Sequence, residues 1–353
     1  MKPSIPNTRR VLVATGAAVA VAVAAAPASA APVRLAPKGG TTLKLDASAA
    51  KALKSLGVKV APTGKAKAGT AGITFPITGG RIDPASAAGL ITHSGGISLS
   101  AGRVKVTLSD YNVIIGKAST LTSKVNGGAR AKLLLPVVGK AKVTRSGLAT
   151  NASNIALHLT SAGAAALNKA FGVKAFKPKL KLGTLTVRTQ PTEVAFAGGR
   201  TDLALDSGAV AALTSLGVAP GLAPGTTTNT DGSLAFPITG GVVNATSLAG
   251  TVGHSGGITL TKGATTITLT DFLVDTTRKT LAAKVNGGAD RVEVLDLDLS
   301  APQVAIAGRT VTVGNVQAKL TAAAAGALNQ AFGTTAFTPG LLLGTATVRG
   351  AAA

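Results

Sequence analysis

The chain states the same pattern twice. Phe75-Pro76-Ile77-Thr78-Gly79-Gly80 returns as Phe236-Pro237-Ile238-Thr239-Gly240-Gly241, His93-Ser94-Gly95-Gly96 as His254-Ser255-Gly256-Gly257, and Lys124-Val125-Asn126-Gly127-Gly128 as Lys284-Val285-Asn286-Gly287-Gly288. The closing stretch Leu159–Arg188 recurs as Leu320–Arg349, and the offset is 160 or 161 residues throughout. That period is one duplicated domain, not a short solenoid repeat. A unit of this size buries about two-thirds of the surface of its unfolded chain, enough for a core of its own. The duplication also supplies an internal control. Shared residues serve the fold or a common task, and residues found in one copy serve that copy.

The element pattern is the same in both copies. A short strand (Thr42–Leu45, Thr201–Leu205) leads into a helix (Ala47–Leu56, Ser207–Leu216), with Asp46 and Asp206 placed as N-caps and Gly57 and Gly217 just past the end. Loops of different composition follow, Ala61–Ala71 and Pro220–Gly232. Short alternating strands with Gly turns come next: Gly72–Thr78, Ala88–His93, Ile97–Ser100 and Val104–Ser109, then Leu121–Val125, Leu133–Val138, Ala141–Thr144 and Asn154–Leu159. Pairing Val104, Val106 and Leu108 with Thr266, Thr268 and Thr270 puts position 106 outside the deep core. A second helix (Ser161–Phe171, Ala322–Phe332) and a last strand (Gly183–Arg188, Gly344–Arg349) close each unit, and Glu193–Ala197 reads as a linker or an extra strand. The expected class is β-rich α+β: two tandem homologous domains, each of packed antiparallel sheets with two short helices.

Residues 1–30 read as an export signal. Lys2, Arg9 and Arg10 precede the small apolar run Val11–Ala26, and Ala28-Ser29-Ala30 offers a small-x-small cleavage site. No later apolar run reaches spanning length. Domains 31–190 and 191–353 are then expected outside the cell, secreted or held at the envelope. Cysteine is absent, so disulfides and thiol chemistry are excluded.

Charge separates the copies. Residues 31–190 hold 24 Lys and Arg against 3 Asp and Glu, a net of +21, whereas residues 191–353 hold 9 against 10, a net of −1. Two copies of one fold share a core, so this difference sits on the surface, where it attracts polyanions. The densest basic stretch is Lys169, Lys174, Lys177, Lys179 and Lys181; the second copy has Gln330, Thr335, Thr338, Gly340 and Leu342 there. An anionic wall polymer or acidic lipid fits this strip. Export and the scarcity of aromatics, with no Trp and one Tyr, argue against nucleic acid.

Catalytic equipment is sparse. The first copy has only Asp46, Asp83 and Asp110; Asp46 reads as a cap, and Asp110, recurring as Asp271, as a strand-end turn residue. Two carboxylates flanking a bond are not evident, and no nucleophile elbow, zinc-protease, P-loop or dinucleotide motif occurs. The reading is noncatalytic, with no metal site. Of three histidines, His158 is replaced by Lys319 and reads as solvent-facing. His93 and His254 are the duplicated pair, each ending an apolar strand before Ser-Gly-Gly. Such a histidine either bonds its own turn or contacts a ligand that the glycines let approach.

The order Phe-Pro-Ile-x-Gly-Gly, apolar strand, His-x-Gly-Gly, alternating strands and Lys-Val-Asn-Gly-Gly resembles the HtaA-type domain of actinobacterial cell-surface haem-uptake proteins. The resemblance spans about 72–188 and 233–349. It implies an exported protein with haem as ligand, the iron held by a tyrosine early in the domain and that tyrosine supported by a histidine in the His-x-Gly region. His93 and His254 match the histidine. No tyrosine stands near either first helix; Tyr111, the one tyrosine, follows the histidine, and Phe272 replaces it in the second copy. Two expectations result. One is a haem-binding or haem-uptake surface protein using His93, His254 and Tyr111. The other is a structural or adhesive envelope protein that has lost haem and binds polyanions through its basic first domain.

Overall fold

The structure, a computed structural model, describes residues 31–353; the export signal expected over residues 1–30 lies outside them. The first half consists of β1 (Val33–Leu45), α1 (Ala47–Ser55), β2 (Lys59–Thr63), β3 (Lys67–Gly69), β4 (Gly72–Ile82), β5 (Gly89–His93), β6 (Gly96–Ala101) and β7 (Val104–Ile115). It continues with β8 (Thr120–Val125), β9 (Arg130–Val137), β10 (Lys142–Ser146), β11 (Ala149–Leu159), α2 (Ser161–Phe171) and β12 (Lys181–Pro191). The second half repeats this order with β13 (Glu193–Leu205), α3 (Ser207–Ser215), β14 (Ala219–Ala223), β15 (Thr227–Thr228), β16 (Leu234–Asn244), β17 (Gly250–His254), β18 (Gly257–Lys262) and β19 (Thr265–Asp275). Then come β20 (Thr280–Val285), β21 (Arg291–Asp298), β22 (Gln303–Ala307), β23 (Thr310–Leu320), α4 (Ala322–Phe332) and β24 (Leu342–Ala352).

Each half is one antiparallel sheet closed on itself. In the first, the ladder runs β7-β5-β4-β1-β12-β11-β9-β8, and β8 pairs back onto β7 to close eight strands into a barrel. In the second, β19-β17-β16-β13-β24-β23-β21-β20 closes through β19–β20. The strands β2 and β6 extend the first barrel beside β7, and β14 and β18 do the same beside β19. The expected packed sheets are thus a single curved sheet. Alternation reveals that one face of a strand is buried, but it is identical whether the opposite wall is a second sheet or the same sheet curved round.

Closure depends on a bulge. Residues Val104–Ser109 of β7 pair with β6, and Asn112–Ile115 pair with β5. Between them Asp110 takes a φ of 51°, and the β7–β8 register shifts there. Asp271 repeats this at φ 54° in β19. The aspartate is therefore not at a strand end. It re-aims a continuous strand from one partner to the next, a known use of bulges. Aligning the two bulges pairs Val106 with Ile267, not Thr268. Val106 is buried, so the expectation that position 106 lies outside the deep core fails by a one-residue slip.

Other boundaries shift as well. The opening strands are thirteen residues long, and Glu193–Ala197 is the start of β13, not a linker. The expected loops carry β2 and β3, and β14 and β15. The helices follow their caps: Asp46 accepts from the Ser48 amide, Asp206 from Ala209, Thr160 from Gly163 and Thr321 from Ala324. Gly172 and Gly333 end the second helices in the left-handed conformation. Between the barrels, the Glu193 carboxylate accepts from the Arg34 amide at 2.9 Å and pairs with Arg81 at 3.4 Å. Among the described residues, no helix is long and apolar enough to cross a membrane.

The two interiors differ. The first barrel has one continuous core from Val33 to Val187 that includes Phe75, Tyr111, Leu157 and Leu185. The second core is broken into four clusters, centred on Phe196, Val218, Phe236 and Leu297.

Candidate functional site

His93 closes β5 with its ring inside the first barrel, 5% exposed. Its Nδ1 lies 3.3 Å from the Tyr111 carbonyl and its Nε2 2.7 Å from Thr41 Oγ1. A carbonyl only accepts, so Nδ1 carries the proton and Nε2 accepts from the Thr41 hydroxyl. Burial disfavours a second proton and pushes the His93 pKa down to about 4, opposed by the bond to Tyr111. His254 is 4% exposed and bonds Thr201 Oγ1 through Nε2 at 2.7 Å. Its Nδ1 has no partner; the Phe272 carbonyl, equivalent to that of Tyr111, stands near but outside bonding geometry. Burial lowers this pKa to about 4 also.

Tyr111 and His93 do meet, but in the core. The Tyr111 ring is 5% exposed and packs edge-on against Phe75 with centroids 5.0 Å apart. Its hydroxyl donates to the Leu108 carbonyl at 2.8 Å, and burial raises its pKa. Phe236 and Phe272 make the same edge-on pair, 5.3 Å apart. The tyrosine phenol is therefore not presented as an anionic oxygen ligand.

These residues do not fit a haem iron. The Nε2 lone pair of His93 is used by Thr41, and that of His254 faces Thr201. The hydroxyl that each histidine supports belongs to a threonine, which does not ionise as a phenol does. The glycines of His-Ser-Gly-Gly serve the protein's own backbone. A Cβ on Gly96 would sit 2.0 Å from the Leu108 carbonyl oxygen, and one on Gly95, at φ +75°, 2.3 Å from the Ala66 amide. His158, on β11 opposite Lys181, is half-buried, as is Lys319 on β23. Among the described residues, no three His, Asp or Glu side chains gather around a point that could hold a metal ion.

The basic strip lies along the end of α2 and the chain leading into β12. Lys169, Lys174, Lys177 and Lys179 are exposed. Lys181 is exposed too, but its Nζ lies 3.2 Å from Asp46, a carboxylate whose pKa is lowered by the bond from Ser48 and by Lys181.

A cavity that no motif announced lies inside the second barrel. It measures about 750 Å³ and its lining is almost wholly apolar, including Phe236, Leu269, Phe272, Ala318 and Ala346 as well as His254. The corresponding space in the first barrel, bounded by Thr41, His93, Tyr111, Leu157 and Leu185, measures about 30 Å³. The signal was present in the duplication: Leu157 and Leu185 align with Ala318 and Ala346. Only closure into a barrel shows that these positions face the same interior.

Residues 207–336 match the family model HtaA, described as Htaa. Among solved structures, the C-terminal domain of HtaA from Corynebacterium glutamicum is similar at 17% identity, over 45% of this chain and 99% of that one, with a TM-score of 0.36. A domain-swapped dimer of a variant of that domain is similar at 16% identity, over 40% of this chain and 90% of that one, with a TM-score of 0.29. No curated protein matches.

Proposed function

We propose that the protein is an exported, noncatalytic binding protein of the envelope, built from two HtaA-type domains, residues 31–190 and 191–353, whose first domain docks on an anionic polymer or acidic lipid. The observation that carries this is charge placed on one architecture. Two barrels with the same element order carry +21 and −1, and the excess includes the exposed Lys169, Lys174, Lys177 and Lys179. Screened Coulomb attraction of this kind weakens as salt rises. The experiment passes the full chain over heparin as a model polyanion, alongside a variant with Lys169, Lys174, Lys177 and Lys179 changed to Gln, Thr, Thr and Ala. Retention that falls with salt and drops in the variant supports the reading. Equal retention, or salt-independent binding, removes it.

The HtaA match at 207–336 supports a second reading, a haem-uptake-related surface protein. In the first barrel the sealed His93 and buried Tyr111 oppose axial ligation; in the second, Phe272 replaces the tyrosine and His254 is held through Nε2 by Thr201. Hemin titration is expected to give no sharp saturable Soret shift. A shift that His93→Ala or His254→Ala abolishes would restore haem as the ligand.

A further inference from the structure

We propose that the interior of the second barrel is a binding site for the hydrocarbon chain of a lipid, a capacity the first barrel lacks. Closed eight-stranded barrels are just wide enough either to be filled by side chains or to hold one small ligand. The first barrel is filled and the second is not: about 30 Å³ against about 750 Å³, the latter well inside the range of small-molecule sites.

Part of the difference comes from truncations along the lining. Leu157 and Leu185, 3% and 5% exposed on neighbouring strands β11 and β12, are replaced by Ala318 and Ala346 on β23 and β24. Leu133 becomes Val294, and Ile82 and Ile91 become Val243 and Val252. Phe75 and Leu108 are matched by Phe236 and Leu269, and Tyr111 by the smaller Phe272, while Phe196 at the place of Leu35, Ile267 of Val106 and Val313 of Ala152 return some volume to the lining. Leucine-to-alanine changes in a core leave apolar space, and each such void costs stability. The broken core of the second half is the packing consequence.

The mouth has changed in the same direction. Leu205, Val210, Leu222 and Val292 line the cavity yet are 37% to 50% exposed, so the void reaches the surface through an apolar rim. At three of these positions the first copy has Ala50, Pro62 and Ala131. The lining extends from this rim through Phe236 to Phe196 and Val311 at the far end. An almost wholly apolar interior that runs along β13 from Leu205 to Phe196 matches a hydrocarbon chain. Within the wall, His254 has an unpartnered Nδ1 and Glu293 stands at the rim beside Arg278.

The test titrates the full chain with N-phenyl-1-naphthylamine, a neutral apolar fluorophore for which the basic domain has no charge attraction, and displaces it with 1-hexadecanol. The expected result is one saturable site per chain, unaffected by 1 M salt. Ala318→Leu with Ala346→Leu writes the first barrel's own residues into the second and should weaken binding at least tenfold, while the melting temperature holds or rises. Leu222→Lys with Val292→Lys alters only the rim and should weaken binding several-fold. No saturable signal in the parent overturns the proposal. So does unchanged affinity in the doubly leucine-filled protein, or displacement by hemin but not by 1-hexadecanol. Because the probe is neutral and the salt is high, failure here is separable from failure of polyanion docking.

Discussion

Acidification should destabilise the first barrel through one buried ring. His93 folds neutral with a pKa of about 4, against about 6.5 in an unfolded chain. A folded-state value below the unfolded one means that the unfolded chain takes up the proton first, so stability is full above about pH 6.5 and is lost as pH falls toward 4. At pH 5 the gap amounts to about 2 kcal/mol relative to pH 8, and the full gap below pH 4 to about 3 kcal/mol. For a domain of this size, 2 kcal/mol is a fall of roughly 4–8 °C in melting temperature. The chain supplies its own reporter. Tyr111 is its one tyrosine and it has no tryptophan, so tyrosine fluorescence follows the first barrel alone. Cysteine is absent, and Asp46 is held below the ordinary carboxylate range by Ser48 and Lys181. Melts at pH 8 and pH 5 in a His158→Gln background, which removes the other imidazole of that half, isolate His93. His93→Gln then lowers the baseline stability but should flatten the pH dependence. A full-sized shift that persists in His93→Gln would refute the assignment of the buried neutral ring.

Three further outcomes test the packing of the first barrel. Ser123, fully buried with an unpartnered Oγ, corresponds to Ala283; Ser123→Ala should stabilise the first barrel by about 1 kcal/mol, seen as a higher urea midpoint at constant slope. Tyr111→Phe, which copies Phe272, removes the bond to Leu108 and should cost about 1 kcal/mol, read by circular dichroism, with no change in a hemin titration. Gly96→Ala drives a Cβ into the Leu108 carbonyl and should cost about 3 kcal/mol or prevent folding. Gly102→Ala, at φ +56° with nothing nearby, should cost only about 1–2 kcal/mol. Equal losses at the two glycines would contradict the close-approach account.

What the sequence disclosed was local. Helix ends were written in Asp46, Thr160 and Gly172, and strand faces in alternating Val, Ile and Leu; these signals act over a few residues, and the structure keeps them. Closure was not disclosed, because β1 must find both β4 and β12, about 150 residues apart in the second case, and no residue pattern encodes which edges meet. The duplicated His-Ser-Gly-Gly singled out the histidines but not their surroundings. A strand end before Ser-Gly-Gly reads as a histidine bonded to its own turn or open to a ligand, yet Gly95 and Gly96 let other backbone segments close over it, and the ring bonds Thr41 and the Tyr111 carbonyl. Tyr111 was singled out because it was unique, but Phe272 in the other half already showed that its ring, not its hydroxyl, does the shared work.

The same comparison orders the two halves as a division of labour. A filled core favours stability, and the first barrel joins it to a surface of +21. The second has Ala318 and Ala346 where the first has Leu157 and Leu185, and a core Leu-to-Ala truncation costs about 2–5 kcal/mol where the space stays empty. A cost of that order is a large fraction of a domain's whole stability of about 5–15 kcal/mol. Part of that burden is relieved whenever something apolar occupies the space, because a ligand that binds only the folded barrel stabilises it by mass action. An occupied second barrel should then melt higher than an empty one, and the gain should vanish once Leu fills positions 318 and 346.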